Sequence, residues 1–211
     1  MYAKYLKRFI DIVLSGIALI VFAIPMAVVA IVIRLEDKGS AIFKQERIGI
    51  YKKHFKLYKF RSMKTNTPHD MPTHLLENPE QYILKSGKII RKFSIDELPQ
   101  LWNIFKGDMS IIGPRPALWN QDDLIAERDK YKANNIKPGL TGWAQINGRD
   151  ELEIPAKASL DGEYVEKMSF AFDCKCLIGT IFSVLKSDGV VEGGTGEMEK
   201  QEEIMKETAA K

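Results

Sequence analysis

Between Ile12 and Ile33 lie 22 consecutive residues without a formal charge, interrupted near the middle by Pro25. As an ideal helix this run would be roughly 33 Å long, close to the thickness of a bilayer's hydrocarbon core. Lys4, Lys7 and Arg8 precede it, and Arg34, Lys38, Lys44 and Arg47 follow. Basic clusters favour the cytoplasmic side of a membrane, and a helix that crosses cannot keep both of its ends there. A proline removes one backbone hydrogen bond and kinks a helix, which lets the segment enter one leaflet and return to the face it left. The expectation is therefore a re-entrant membrane helix with both ends cytoplasmic, and a kinked single span is the alternative. A cleaved signal peptide does not suit the length or the lack of a small-residue cleavage site.

A chain of 211 residues suffices for one domain and an anchor, and is too short for two substantial domains. The division expected is an anchor over 1–38, a folded domain over 39–186, and a polar tail over 187–211 that is disordered or a frayed helix. The net charge of +3 is modest, but between 52 and 64 every charged group is basic: Lys52, Lys53, Lys56, Lys59, Arg61 and Lys64, interleaved with Phe55, Tyr58 and Phe60. Beside an apolar anchor such a stretch points to lipid headgroups and small phosphates, not to nucleic acid. Cys174 and Cys176 are too few for a disulfide framework or a four-ligand zinc site, and suggest a reducing compartment with buried or membrane-facing thiols.

Residues 40–47 and 55–63 are rich in strand formers and are separated by a stretch holding Gly49, which predicts a hairpin. The prolines and small polar residues over 64–80 predict a surface loop; it carries His69 and His74, whose use as metal ligands stays open. From Ser94 to Phe105 the pattern is helical, with Ile95, Leu98, Leu101, Trp102 and Phe105 on one face and Gly107 at the end. An exposed, charged helix is expected over 123–133, a turn-rich run at 138–142, and over 170–185 a helix whose apolar face packs on the core or lies at a membrane surface. These elements predict an α+β fold.

Ser94-Ile95-Asp96-Glu97 has the form of a capping box, so its plainest reading is a helix start. A helix start also holds carboxylates ionised and receives phosphate, and Asp96 and Glu97 stand between Arg91-Lys92 and Gly113-Pro114-Arg115-Pro116. An ionised Asp there could act as a nucleophile, or bind Mg²⁺ together with substrate phosphates. The two prolines around Arg115 limit the entropy lost when its guanidinium grips a phosphate, although a rigid turn would look the same.

Taken in order, Phe43-Lys44-Gln45-Glu46-Arg47-Ile48-Gly49, Lys59-Phe60-Arg61-Ser62-Met63, Ser94 to Leu101, Lys106-Gly107-Asp108-Met109-Ser110, Gly113-Pro114-Arg115-Pro116 and Pro138-Gly139-Leu140-Thr141-Gly142-Trp143-Ala144-Gln145 resemble the bacterial sugar transferase family, the monotopic phosphoglycosyl transferases. The likeness covers roughly residues 1–186, and is to the small members that consist of the catalytic unit alone and prime polyprenol-linked glycan assembly. It implies a re-entrant membrane helix, a small mostly helical catalytic domain with a short β-hairpin, interfacial amphipathic helices, and a site on the cytoplasmic face of the inner membrane. It also implies transfer of a sugar phosphate from a UDP-sugar to polyprenol phosphate, with release of UMP. In that resemblance Asp96 matches the nucleophile that carries a covalent phosphosugar, Glu97 its partner, and Asp96 also the ligand of Mg²⁺. Lys59, Arg91 and Arg115 match the phosphate-binding residues, and Arg149 is carried over as a donor contact. One departure is that Ile24 precedes Pro25 where better-known members commonly have a Ser, so the kink must be supported by Ser15 or by the protein body. The sugar, the pathway and homo-oligomerisation stay open. A non-catalytic membrane scaffold and a lipid-phosphate or nucleotide-sugar hydrolase are the competing functions.

Overall fold

The computed structural model describes residues 2–67, 79–148 and 152–186; His69, His74, Arg149 and the tail from 187 lie outside them. A π-helical turn, Tyr2–Leu6, leads directly into α1 (Lys7–Val21), and after a break at Phe22 the chain continues as α2 (Ala23–Glu36). Pro25 stands in the first turn of α2, where its missing N–H would otherwise have bonded the Val21 carbonyl, so the lost hydrogen bond coincides with the break. The two helices are bent by 59°; among the described residues no single helix is long and apolar enough to cross a membrane, and the bent pair together has the length and composition.

The kink is not supported by Ser15, whose hydroxyl donates to the Asp11 carbonyl one turn back. The protein body supports both arms. Ala18 and Leu19 of α1 pack on Leu57, Leu101, Ile104 and Met109. Ile33 of α2 is fully buried with Ala41, Phe60, Leu84 and Ile90, a burial worth about 1.5–3 kcal/mol. Polar contacts fasten the outer ends of the pair. Arg8 donates to the carbonyls of Ile104 and Phe105 at 2.6 and 2.8 Å, near the C-terminus of α4 (Gln100–Lys106), where carbonyls lack helical partners. Glu36 accepts the Lys85 and Ser86 amides at 2.6 and 3.0 Å, and so caps α3 (Lys85–Lys92) from outside. The outward face has no such partners: Ile20, Ile24 and Leu35 are each more than three-quarters exposed.

The hairpin is present, as β1 (Ile42–Ile48) and β2 (His54–Phe60), antiparallel, with Phe43 opposite Lys59 and Arg47 opposite Phe55. The basic stretch that includes β2 does not form one cationic face. Lys52 pairs with Asp129, Lys59 with Glu97 and Arg61 with Asp37, because successive strand and loop positions point in different directions.

Two expectations fail in instructive ways. The single helix over 94–105 is instead a 3₁₀ turn, Ile95–Glu97, followed by α4, with Pro99 as the N-cap residue of α4. Pro99 cannot donate inside a helix but suits its first turn, so the helix starts there. Trp102 and Phe105 are consequently exposed rather than part of the core face. The turn-rich run at 138–142 contains a strand, β4 (Gly139–Thr141), paired in parallel with β3 (Ser110–Ile112). Its glycines serve close backbone packing. A Cβ on Gly139 would lie 2.1 Å from the Gly113 nitrogen, and one on Gly142 2.1 Å from the Gly113 oxygen.

The remaining α-helices among the described residues are α5 (Asp122–Asp129), the short α6 (Trp143–Ile146), α7 (Ile154–Lys167) and α8 (Phe170–Lys186). The charged helix near 123–133 is shorter than expected and not wholly exposed, since Leu124 and Arg128 are buried. Helix α8 forms as expected; Cys176 and Asp173 face inward, while Phe170, Ile178, Ile181 and Phe182 are each more than half exposed. Both cysteines are free thiols. The fold is α+β.

Candidate active site

Five residues from four separate stretches of sequence line one cavity of about 360 Å³: Lys59, Arg91, Asp96, Glu97 and Arg115. β2 delivers Lys59, and the last turn of α3 delivers Arg91. Between α3 and the 3₁₀ turn the chain reverses through Ser94, which adopts φ 54°, ψ 23° in the left-handed region. A serine there is strained, and the strain brings Asp96 and Glu97 back beside Arg91. The capping box is therefore not formed. The Ser94 side chain makes no cap hydrogen bond, and the Glu97 carboxylate turns to cations.

Arg115 arrives from the loop after β3, which the Gly113, Gly139 and Gly142 contacts press against β4. The hairpin holds the far side of that loop: Arg47 donates to the Pro116 carbonyl at 2.9 Å, and the Ile48 amide to the Ala117 carbonyl at 3.0 Å. From α1, the buried Asp11 carboxylate accepts the Ile111 amide at 2.9 Å and fixes β3. Asn103, also buried, joins α4 to β2 by accepting the Tyr58 amide and donating to the Lys56 carbonyl. Arg128, which lines the cavity, is held by Asp161 through two nitrogens at 2.8 and 2.6 Å, both side chains almost fully buried.

Oε1 of Glu97 accepts from Lys59 Nζ at 3.0 Å and from Arg115 at 2.8 Å. Burial opposes its ionisation, yet the charges and hydrogen bonds of Arg115 and Lys59 outweigh that cost and hold the carboxyl well below the usual carboxylate range. Glu97 is thus a fixed anion that orients two cations. Asp96 is the opposite case. Burial pushes its carboxyl above the ordinary value; Lys59, Arg91 and Arg115 offset only part of this, and the neighbouring Glu97 charge adds to it. No hydrogen bond from a described residue holds the Asp96 carboxylate. Arg91 has a buried terminal nitrogen without a hydrogen-bond partner among the described residues. Two carboxylates that differ this much in setting suit different tasks, one structural and one chemical.

The donor set also bears on metals. Among the described residues no group of three or more His, Cys, Asp or Glu side chains could hold an ion. Among the described residues Asp96 and Glu97 are the carboxylates that line the cavity, and Glu97 is already spent on two cations. One available carboxylate fits a Mg²⁺ ion that draws its other ligands from water and phosphate; it does not fit a closed protein cage.

Motif reading brought out Lys59, Arg91, Asp96, Glu97 and Arg115, while Arg149 lies outside the described residues. It did not bring out Thr141, Thr180, Gln145 or Arg128 as lining residues. Thr141 and Gln145 both stand in the 138–145 motif, which by itself does not say that their side chains reach the cavity; Arg128 and Thr180 carry no local signal.

The family described as bacterial sugar transferase matches residues 2–187. The chain is 42% identical over 185 residues to the protein named uncharacterized sugar transferase EpsL of Bacillus subtilis (strain 168), covering 88% of this chain and 90% of that one. It is 36% identical over 192 residues to the UDP-glucose:undecaprenyl-phosphate glucose-1-phosphate transferase of Escherichia coli (strain K12), covering 85% of this chain and 40% of that protein. It is 35% identical over 193 residues to the UDP-N-acetylgalactosamine-undecaprenyl-phosphate N-acetylgalactosaminephosphotransferase of Aeromonas hydrophila, covering 88% and 45%. The chain thus spans less than half the length of these two proteins.

Proposed function

The chain belongs to the bacterial sugar transferase family, and from that premise we propose that it transfers a sugar 1-phosphate from a UDP-sugar to polyprenol phosphate, giving polyprenol-diphosphate-sugar and UMP. The observation that carries the proposal is the convergence of Lys59, Arg91 and Arg115 around a partly buried Asp96 carboxylate that no hydrogen bond from a described residue engages. Three cations suit a diphosphate, and a partly desolvated carboxylate suits nucleophilic attack on it.

In the first step an Asp96 oxygen attacks the phosphorus that bears the sugar. The bond from that phosphorus to the bridging oxygen breaks, and UMP leaves with the electron pair. In the second step a polyprenol phosphate oxygen attacks the same phosphorus, the acyl phosphate bond breaks, and Asp96 returns as a carboxylate. Glu97 keeps Lys59 and Arg115 directed at the phosphates throughout. Mg²⁺, held by Asp96 and the donor diphosphate, would supply further charge neutralisation.

One substrate is soluble and the other is a lipid, so the site belongs at a membrane interface. Both outer ends of the α1–α2 pair are fastened to the same body, at α4 and Asp173 on one side and at α3 and Arg61 on the other. That favours a re-entrant pair over a span, with the site on the cytoplasmic face of the inner membrane, where nucleotide sugars are. Cysteines placed singly at Lys4 and Lys38 should label from the same side in intact cells; labelling from opposite sides would exclude the re-entrant arrangement.

The sugar is open: the names of the E. coli and Aeromonas relatives specify glucose and N-acetylgalactosamine. The decisive assay is UMP release from a panel of UDP-sugars with and without polyprenol phosphate. Lipid-dependent turnover with one donor supports transfer, whereas sustained lipid-independent release of free sugar phosphate would make the enzyme a hydrolase. Turnover should also show an acid limb. A nucleophile must be ionised, and an Asp96 whose pKa is raised protonates at higher pH than a free aspartate, near 3.9. Rates should therefore fall on acidification already above about pH 4. Because Lys59 opposes the shift, Lys59→Met should move the limb to still higher pH.

A further inference from the structure

We propose that Gln145 reads the imide edge of the pyrimidine base in the donor, an inference that rests on the uridine nucleotide chemistry proposed above. Gln145 sits on α6, its side chain lines the same cavity as Asp96 and Arg115, and it is only 7% exposed. Both its amide nitrogen and its amide oxygen are buried without a hydrogen-bond partner among the described residues. Buried polar atoms are nearly always paired, so an amide with both atoms orphaned inside a ligand cavity calls for a partner from the ligand. Gly142 makes room for it: a Cβ there would stand 3.0 Å from the Gln145 oxygen.

The partner's chemistry follows from the amide's own. A carboxamide presents one acceptor and one donor side by side, so it pairs twice with a group that presents a donor and an acceptor on one edge. Phosphate oxygens are acceptors only, and the cavity already meets them with cations. A trans acetamido group points its N–H and C=O in opposite directions and cannot pair with both atoms. Uracil is a cyclic imide whose N3–H and adjacent carbonyl are held on the same side, which matches. Leu140, Ala144 and Leu177 line the same cavity and offer apolar contact to the flat faces of a base.

The test is competition against the UDP-sugar in the UMP-release assay, with the full chain in lipid, by UMP and by N3-methyl-UMP. Methylation removes the N3 donor without changing the phosphate. Wild type should bind N3-methyl-UMP at least roughly tenfold more weakly than UMP, the scale of one lost hydrogen bond to a buried partner. Gln145→Met, close in volume but unable to bond, should weaken UMP by a similar factor and compete equally with either nucleotide. Equal competition by both nucleotides in wild type, with turnover intact, would overturn the inference while leaving phosphosugar transfer standing. So would a Gln145→Met effect that varies with the sugar but not with N3 methylation, since Gln145 would then face sugar hydroxyls. The wild-type comparison decides even if the variant does not fold. If UMP neither competes nor forms as product, transfer from a UDP-sugar is itself wrong, and this inference falls with it.

Discussion

Asp96→Asn should abolish turnover, a loss on the order of 10⁴-fold or more if the carboxylate is the nucleophile. Purified wild type incubated with Mg²⁺ and its UDP-sugar, but no polyprenol phosphate, should release up to one equivalent of UMP and gain the mass of one phosphosugar. The variant should do neither, because a carboxamide does not readily form the acyl phosphate. Its fold should survive. Burial makes an ionised Asp96 costly and no described hydrogen bond depends on it, so a neutral isostere removes a charge without orphaning a partner. Release of UMP only in the presence of lipid, with no adduct on Asp96 under any donor that turns over, would instead mean direct transfer between the two substrates. Glu97→Gln is a different experiment. It would loosen Lys59 and Arg115, which share one Glu97 oxygen, and so should impair donor binding as well as chemistry.

Asp161→Ala should cause the largest loss of stability, about 3–5 kcal/mol, because it strands the Arg128 guanidinium in a site where that side chain is 5% exposed. For a domain of this size that corresponds to a fall in Tm of roughly 10 °C or more. Replacing both partners, Asp161→Leu with Arg128→Met, removes the unpaired charge and should recover much of the loss in thermal unfolding. If the double variant is no more stable than the single, Asp161 contributes through packing between α5 and α7 rather than through its charge. Activity is the wrong readout here, since Arg128 also lines the cavity.

The hairpin, the helix over 170–185 and the helix end at Gly107 were legible because each is written in local pattern: strand formers around a turn, helical periodicity, a glycine in the left-handed region. The 94–105 segment misled because periodicity and an apparent capping box outvoted Pro99. The glycines at 139 and 142 misled because a glycine required by close backbone approach looks the same in sequence as one required by a turn.

What the chain determined by itself was the make-up of the site and of the N-terminal helix pair: an uncharged run interrupted by Pro25, and motifs whose resemblance to the family singles out Lys59, Arg91, Asp96, Glu97 and Arg115. The order of the motifs along the chain carries that resemblance, so it is visible without coordinates. The unlike settings of the two neighbouring carboxylates were decided only by the tertiary structure. Glu97 is held ionised by Lys59, 38 positions away, and by Arg115, 18 positions on, while Asp96 beside it is partly desolvated with no hydrogen bond from a described residue. Desolvation and long-range pairing set that difference, and neither is a property of a residue's neighbours in sequence.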